Sequence, residues 1–333
     1  MNFLRRAALL RTAVLAVTGC SLLVGAAPAF AQAKPAFPDR PLRIVVPGAP
    51  GGATDMLARS LGAGLSKALG QAVVVDNKPG ASGIIAAQSV LAAPHDGYTM
   101  YLGITSMIQL PALMPSMPVN FSKDFAPVSL LATGSDLLAV SSKLPASSVS
   151  DFIKLAKASP GKLTIGSYGN GTSAHLHAEL LKKRAGIDLI HVPYTGAAPL
   201  LSDLLAGQID AAFIDQSTAN AQLASPKLRF LALTGTQRFK GLPKLPTFGE
   251  LGYAGFEPNG FMAVFVPANT PAPVVQRLSR ELAAQVRGAD ISKRLADTGM
   301  VPVGSTSAEL AAMMSRDAPL WAQVVKECNV KLE

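Results

Sequence analysis

Hydrophobic and polar positions follow a repeated design along most of the chain: a short apolar run, a Gly/Pro-rich turn, then an apolar stripe at helical spacing. Residues 42–46 form an apolar run and predict a strand. Residues 47–52 are a turn. Residues 54–69 predict a helix, because Met56, Leu57, Leu61, Leu65 and Leu69 recur on one face. Runs at 72–75 and 99–104 predict further strands, with a helix at 82–91 between them. A second series follows: helix 150–158, strand 163–167, helix 172–185, strand 189–192, helix 197–205, and strands 210–214 and 228–233. Strands alternating with helices predict parallel sheets covered on both faces.

Two extended, mostly apolar runs, 127–142 and 256–267, read as crossovers between the series. After the second come helices at 271–287, with Pro271 and Pro273 at a helix start, and at 292–297. A short strand at 301–303 and a last helix from Ser307 to about Cys328 complete the chain. This end has little sheet of its own, so it must pack back on the first series. The prediction is an α/β chain with a discontinuous first lobe (32–133 and 256–333), a continuous second lobe (134–255) and two hinge strands.

The ends and the charge narrow the setting. Arg5, Arg6 and Arg11 precede an apolar run, and Ala29-Phe30-Ala31 is a small-x-small cleavage site, so residues 1–31 read as a signal peptide. The run is short for a membrane span, and the mature chain is expected to be soluble and periplasmic. Val17-Thr18-Gly19-Cys20 resembles a lipoprotein box and keeps a lipid anchor on Cys20 open as a minority reading. Arg5-Arg6 leaves twin-arginine export open, although the residues after the pair fit it poorly. The leader holds three Arg and no acid, so its removal lowers the formal charge of +9 by three. The remaining excess is scattered, without a basic stripe or interleaved aromatics, which argues against nucleic acid and suits an anionic ligand. With Cys20 removed, Cys328 has no intrachain disulfide partner.

The chemistry concentrates in two turns. Val45 to Asp55 reads Val-Val-Pro-Gly-Ala-Pro-Gly-Gly-Ala-Thr-Asp, a Gly-rich turn between a strand and a helix. Such a turn brings backbone N–H groups to a helix N-terminus, a natural anion site. It lacks the Lys-Ser/Thr of a P-loop and the G-x-G-x-x-G spacing. Its candidates are Ala49, Gly51, Gly52, Thr54 and Asp55. The two glycines allow close approach; Asp55 would repel a carboxylate and is expected to orient N–H groups, hydroxyls or water. Taken alone, such a turn is more often structural. Ile165 to His175 repeats the design in the second series, with Gly169, Asn170, Gly171, Thr172, Ser173 and His175 as candidates and Thr172 or Ser173 as helix caps. Two matched turns would face each other across a cleft at strand C-terminal ends. Thr105 and Ser106, after strand 99–104, and Asp215, after strand 210–214, occupy equivalent places. Asp215 reads equally well as a turn or cap acid.

Catalytic readings find little support. No H-E-x-x-H and no G-x-S-x-G motif is present. His175 and His177 lie two apart on a helix and face different sides, and His95 reads as a turn residue. No catalytic residue, metal set or cofactor is expected.

The runs Arg43 to Asp55, Val75 to Gly83 and Pro94 to Met100 resemble the Bug family, the extracytoplasmic receptors of tripartite tricarboxylate transporters. So do Gly169 to His175, His191 to Pro199 and Pro302-Val-Gly-Ser-Thr. The likeness covers essentially the whole mature chain in order. It implies a type II periplasmic-binding-protein fold, in which the turns ending at Gly51-Gly52 and running from Gly169 to Thr172 grip one carboxylate through backbone groups and water. It also implies two integral membrane transporter components as partners. The receptor is expected to be a monomer. The chain departs from the family at Gly48, where an aromatic is usual, at Phe261, where Trp is usual, and at Thr195, where Lys is frequent. A carboxylate sensor with a signalling partner, or an exported enzyme on the same scaffold, are the alternative functions.

Overall fold

The computed structural model describes residues 37–332; the signal-peptide and Cys20 readings lie outside them. In chain order, β1 (Leu42–Val46) leads into α1 (Ala53–Leu69), then β2 (Val73–Asn77), a 3-10 turn at Ala81–Gly83 and α2 (Ile84–Leu91). Next come β3 (Thr99–Ile104), α3 (Ser106–Leu113), α4 (Phe121–Asp124), β4 (Phe125–Gly134) and β5 (Asp136–Ser141). α5 (Val149–Ala158), β6 (Thr164–Ser167), α6 (Ser173–Ala185), β7 (Ile190–Pro193) and α7 (Ala197–Ala206) follow. β8 (Ala211–Asp215), α8 (Gln216–Asn220) and β9 (Leu228–Leu233) complete the middle of the chain. The last part holds β10 (Gly260–Pro267), α9 (Ala272–Arg287), α10 (Ala289–Asp297), β11 (Val301–Pro302) and α11 (Ser307–Cys328).

These elements build a two-lobed α/β molecule around two sheets. The first has the order β11-β4-β10-β3-β1-β2, the second β7-β6-β8-β5-β9. The parallel expectation holds for β2, β1 and β3 and for β7, β6 and β8. It needs correction elsewhere, since β10 runs antiparallel to β3 and β4, and β5 runs antiparallel to β8 and β9. The cause is the passage between sheets. The apolar run 127–142 divides at Ser135, so that β4 ends in the first sheet and β5 begins in the second. The run 256–267 enters the first sheet only at Gly260.

Hydrogen bonds tie the two passages together. The Ser135 amide donates to Gln216 Oε1 (2.8 Å) and its hydroxyl to Asn259 Oδ1 (3.3 Å). Gly235 N–H donates to the Phe256 carbonyl (2.7 Å). β11 pairs with β4, and α9 and α11 also pack on β4, which returns the chain end to the first sheet as expected. The α11 start is a full capping box, with Thr306 Oγ1 accepting from Glu309 N–H and the Glu309 side chain accepting from the Thr306 amide. Cys328 sits half-buried at the other end of α11.

Local corrections have local causes. The helix expected from 82 starts at Ile84, because Ala81 (φ 45°) and Ser82 (φ 51°) take left-handed backbone. The helix expected from 292 starts at Ala289, behind Gly288 in extended conformation. Three short helices, α3, α4 and α8, carry no clear periodic signal; α3 contains Pro111.

Phe265 is fully buried in β10, between β3 and β4. Its replacement in Phe265→Ala is expected to cost about 3–5 kcal/mol. Thr306→Ala, which removes one cap, is expected to cost about 1 kcal/mol. Both are read as shifts of the urea midpoint at an unchanged m-value, and equal shifts would contradict the assignment.

Candidate functional site

Every parallel strand that hands over to a helix leaves that helix's first N–H groups without intrahelical acceptors. In this fold several such helix starts meet in one place. A cavity of about 510 Å³ takes lining residues from both sheets, including Ala53 at the start of α1, Thr105 and Ser106 at α3 and Ser173 at α6. Gly196 and Ala197 bring in the start of α7, and Asp215 to Thr218 line the wall beside α8. Positive dipole ends and spare amide donors converge where an anion would sit.

The two glycine turns are held by an internal acceptor four residues downstream. Gly51 N–H donates to Asp55 Oδ2 (2.9 Å), and Arg59 pairs with the same carboxylate (3.0 Å). The Arg59 contact first, and the Gly51 amide second, hold the Asp55 carboxyl down at about 2. In the second turn, Gly171 N–H donates to His175 Nδ1 (3.1 Å). Gly51 (φ 81°) and Gly171 (φ 71°) both take left-handed backbone, which explains the residue type. A Cβ at Gly171 would also meet Leu332 at 2.7 Å.

Gly52 is different: its N–H donates to the Ala49 carbonyl (3.2 Å), and its φ of −74° suits any residue. The donors left over lie one step further on, in the first turns of α1 and α6. Among the described residues, the amides of Ala53 and Thr54 and of Ser173 and Ala174 have no acceptor, because hydrogen bonding within these helices begins with Met56 and Leu176.

Of the expected site residues, the cavity reaches Thr105, Ser106, Gly171, Thr172, Ser173 and Asp215. Ala49, Gly51, Gly52, Thr54 and Asp55 do not line it; Ala53 does. Gly169, Asn170 and His175 also stay outside the lining. Thr172 is the α6 N-cap and donates its hydroxyl to the Gly169 carbonyl (2.7 Å). Thr105 Oγ1 accepts from the Phe261 amide (2.9 Å), and Ser106 donates to the Ser82 carbonyl (2.8 Å). Asp215 caps α8, accepting from the amides of Ser217 (3.1 Å) and Thr218 (3.0 Å) and from both hydroxyls. Both oxygens of Asp215 are engaged.

Several lining residues had not been singled out. Gly196-Ala197 repeats the strand–glycine–helix design a third time, and that spacing was readable. Asp136 had no local signal, because its role is tertiary. Its carboxylate accepts from Tyr168 Oη (2.9 Å) and contacts His177 Nδ1 (2.9 Å), while Tyr168 shares a hydrogen bond with Ser173 (2.6 Å). Burial pushes the Tyr168 hydroxyl well above the usual tyrosine value, so it serves as a neutral donor.

His175 lies outside the cavity lining and stacks on His191, with ring centroids 4.1 Å apart and 2° between planes. Donor atoms of His175, Glu179 and His191 lie within 4.8 Å of one another. The parallel rings keep their in-plane lone pairs from converging on one ion, so this arrangement is not a formed metal site.

A model of the tripartite tricarboxylate transporter receptor family matches residues 57–330 of the chain. Protein BugT of Bordetella pertussis is 33% identical over 327 residues, covering 97% of this chain and 99% of that protein. Among solved structures, R. palustris Rpa4515 with adipate is 34% identical with a TM-score of 0.79, over 89% of this chain and 100% of that one. MatC from Rhodopseudomonas palustris with bound malate is 30% identical with a TM-score of 0.75, over 87% and 100%.

The histidine stack predicts a pH dependence. Burial first, then His175 and Lys182, push His191 down to about 4, and burial also lowers His175. The unfolded chain therefore takes up these protons at a higher pH than the folded chain does. The stability they contribute is present above pH 6.5 and is lost as pH falls from 6.5 toward 4. His191→Gln is expected to flatten that part of the melting-temperature profile. A variant profile parallel to wild type between those limits would contradict the assignment.

Proposed function

The chain belongs to the tripartite tricarboxylate transporter receptor family, and from that premise we propose that it captures a small carboxylate between its lobes and delivers it, chemically unchanged, to two membrane components of such a transporter. The observation that carries the reading is the convergence of helix N-termini from both sheets on one cavity. Each spare amide hydrogen-bonded to a carboxylate contributes roughly 1.5–3 kcal/mol. A few such bonds, offset by the cost of association, bring micromolar binding (about −8.2 kcal/mol) within reach. The bound acid would lie between the amides of α1 and those of α6 and α7, bridging residues 32–133 and 256–333 on one side and 134–255 on the other.

Capture without chemistry fits how the nearby hydroxyls are used. Those of Ser106, Thr172 and Ser173 are each engaged in structural hydrogen bonds. The Ser167–His191 pair (2.8 Å) has a fully buried serine outside the cavity lining. No helix of the described residues is long and apolar enough to cross a membrane. A monomeric periplasmic receptor, released by cleavage after Ala31, is the corresponding form. Mass spectrometry of the exported protein is expected to find Gln32 first, and a lipidated Cys20 would reverse that assignment.

The grip itself can be tested at the backbone. Ala53 and Ala197 are the first residues of α1 and α7, a position that accepts proline. Gly52 is already extended (φ −74°, ψ 168°), so a following proline fits there. Ala53→Pro and Ala197→Pro each delete one N–H without adding a charge. Each is expected to weaken carboxylate binding by about tenfold, or 1.4 kcal/mol, by calorimetry, with an unchanged circular dichroism spectrum. Wild-type affinity in both folded variants would exclude the amide grip.

A further inference from the structure

The rest of the cavity is less suited to a second negative charge. None of its lining residues is Lys, Arg or His, and its acidic residues are Asp136 and Asp215. Helix N-termini carry about half a unit of positive charge each, and their effect fades within one turn. They suit one carboxylate. A second ionised carboxylate buried beyond them would meet two acids and no cation, a costly placement without a partner.

One polar group in the lining is left without a partner. Gln109, only 1% exposed on α3, lines the cavity, and its Nε2 has no hydrogen-bond partner among the described residues. It stands three residues beyond Ser106, and both residues line the cavity. The rise between them is roughly 4.5 Å along the helix. The two ends of a carboxamide are nearly equal in size, so a half-turn of the group can present its NH₂ to the cavity. A buried amide donor without an acceptor is unfavourable, and a ligand oxygen elsewhere in the cavity than the gripped carboxylate would satisfy it.

We propose that the cavity selects a singly charged carboxylate carrying an uncharged hydrogen-bond acceptor, and that Gln109 reads that acceptor. The inference rests on the receptor reading of the same cavity. Adipate and malate, named for the two solved relatives, are diacids, so the chain differs from those proteins in ligand class. Asp136 and Asp215 contribute by exclusion: their oxygens are occupied by Tyr168, His177, Ser217 and Thr218, leaving negative charge in the wall.

The test pairs straight-chain diacids of about four to six carbons (succinate, glutarate and adipate) with their monoamides, which match them in shape but carry one charge fewer. Calorimetry on the mature wild-type protein is expected to find the best monoamide bound at least about tenfold more tightly than its diacid. Gln109→Leu is expected to weaken the monoamide by about tenfold while leaving the diacid little changed, and Gln109→Arg to shift the preference toward the diacid. Gln109→Glu, nearly identical in volume, is expected to weaken both ligands if the variant stays folded by circular dichroism. A diacid bound as tightly as its monoamide overturns the inference and leaves the carboxylate-receptor reading standing. Monoamide affinity unchanged in folded Gln109→Leu removes Gln109 from the role. If no acid of either series binds wild type, the receptor reading fails as well.

Discussion

Backbone amides that a helix cannot use internally must find an acceptor, and much of the cavity is arranged around that requirement. The first turn of each helix exposes donors, and parallel strands place those turns along one edge of a sheet. Side chains then decide which donors remain open. Asp55 takes the Gly51 amide, His175 takes the Gly171 amide, and the Ala49 carbonyl takes that of Gly52. The glycine turns are therefore closed by internal acceptors. The open amides lie just beyond them, at Ala53, Thr54, Ser173 and Ala174. The acid in the first turn and the imidazole in the second hold the two frames in shape.

Behind the cavity, one buried polar network links the lining to the core between the lobes. Asp136 follows the passage at Ser135, and its backbone exchanges hydrogen bonds with Thr234. Its side chain binds Tyr168 on the cavity side and His177 on the core side. His177 is fully buried beside Trp321 of α11, with ring centroids 5.0 Å apart. His177 Nε2 and Trp321 Nε1 have no partners among the described residues. Removing Asp136 would leave His177 Nδ1 without a partner, a penalty of about 1–3 kcal/mol, and the Tyr168 hydroxyl with Ser173 alone. The same seam holds the Arg184–Glu327 pair (2.9 Å), joining α6 to α11. Any rotation of one sheet against the other must carry these contacts intact or exchange them together.

The sequence carried the alternation of elements well, because the long helices have apolar stripes and most strands end in a Gly or Pro turn. It carried α3 poorly: Met107 to Leu110 is nearly all buried and Pro111 breaks the pattern, so no 3.6-residue period stands out. That also concealed Gln109, one polar residue in an apolar run. The break at Ser135 was hidden for a related reason, since both β4 and β5 are largely buried and read as one stretch. The internal acceptors were more accessible. In both turns the acceptor stands four residues after the glycine it serves, a relation visible in the sequence once the amide is treated as a group needing a partner. Asp136, Tyr168 and His177 come from separate elements, and no local pattern brings them together.

A receptor must also let go, and the type of grip matters for that step. A guanidinium clamp holds a carboxylate through long-range charge and keeps much of that attraction as a cleft opens. Amides at helix starts act over about one turn, and the amides here belong to different sheets. Under the receptor reading, separating the sheets by a few ångströms removes one set of donors from the ligand while water takes their place. Opening and weakening then become one event. The same argument accounts for the absence of basic side chains in the lining: a fixed cation would strengthen the open state's hold as well as the closed state's, and would narrow the difference on which delivery depends.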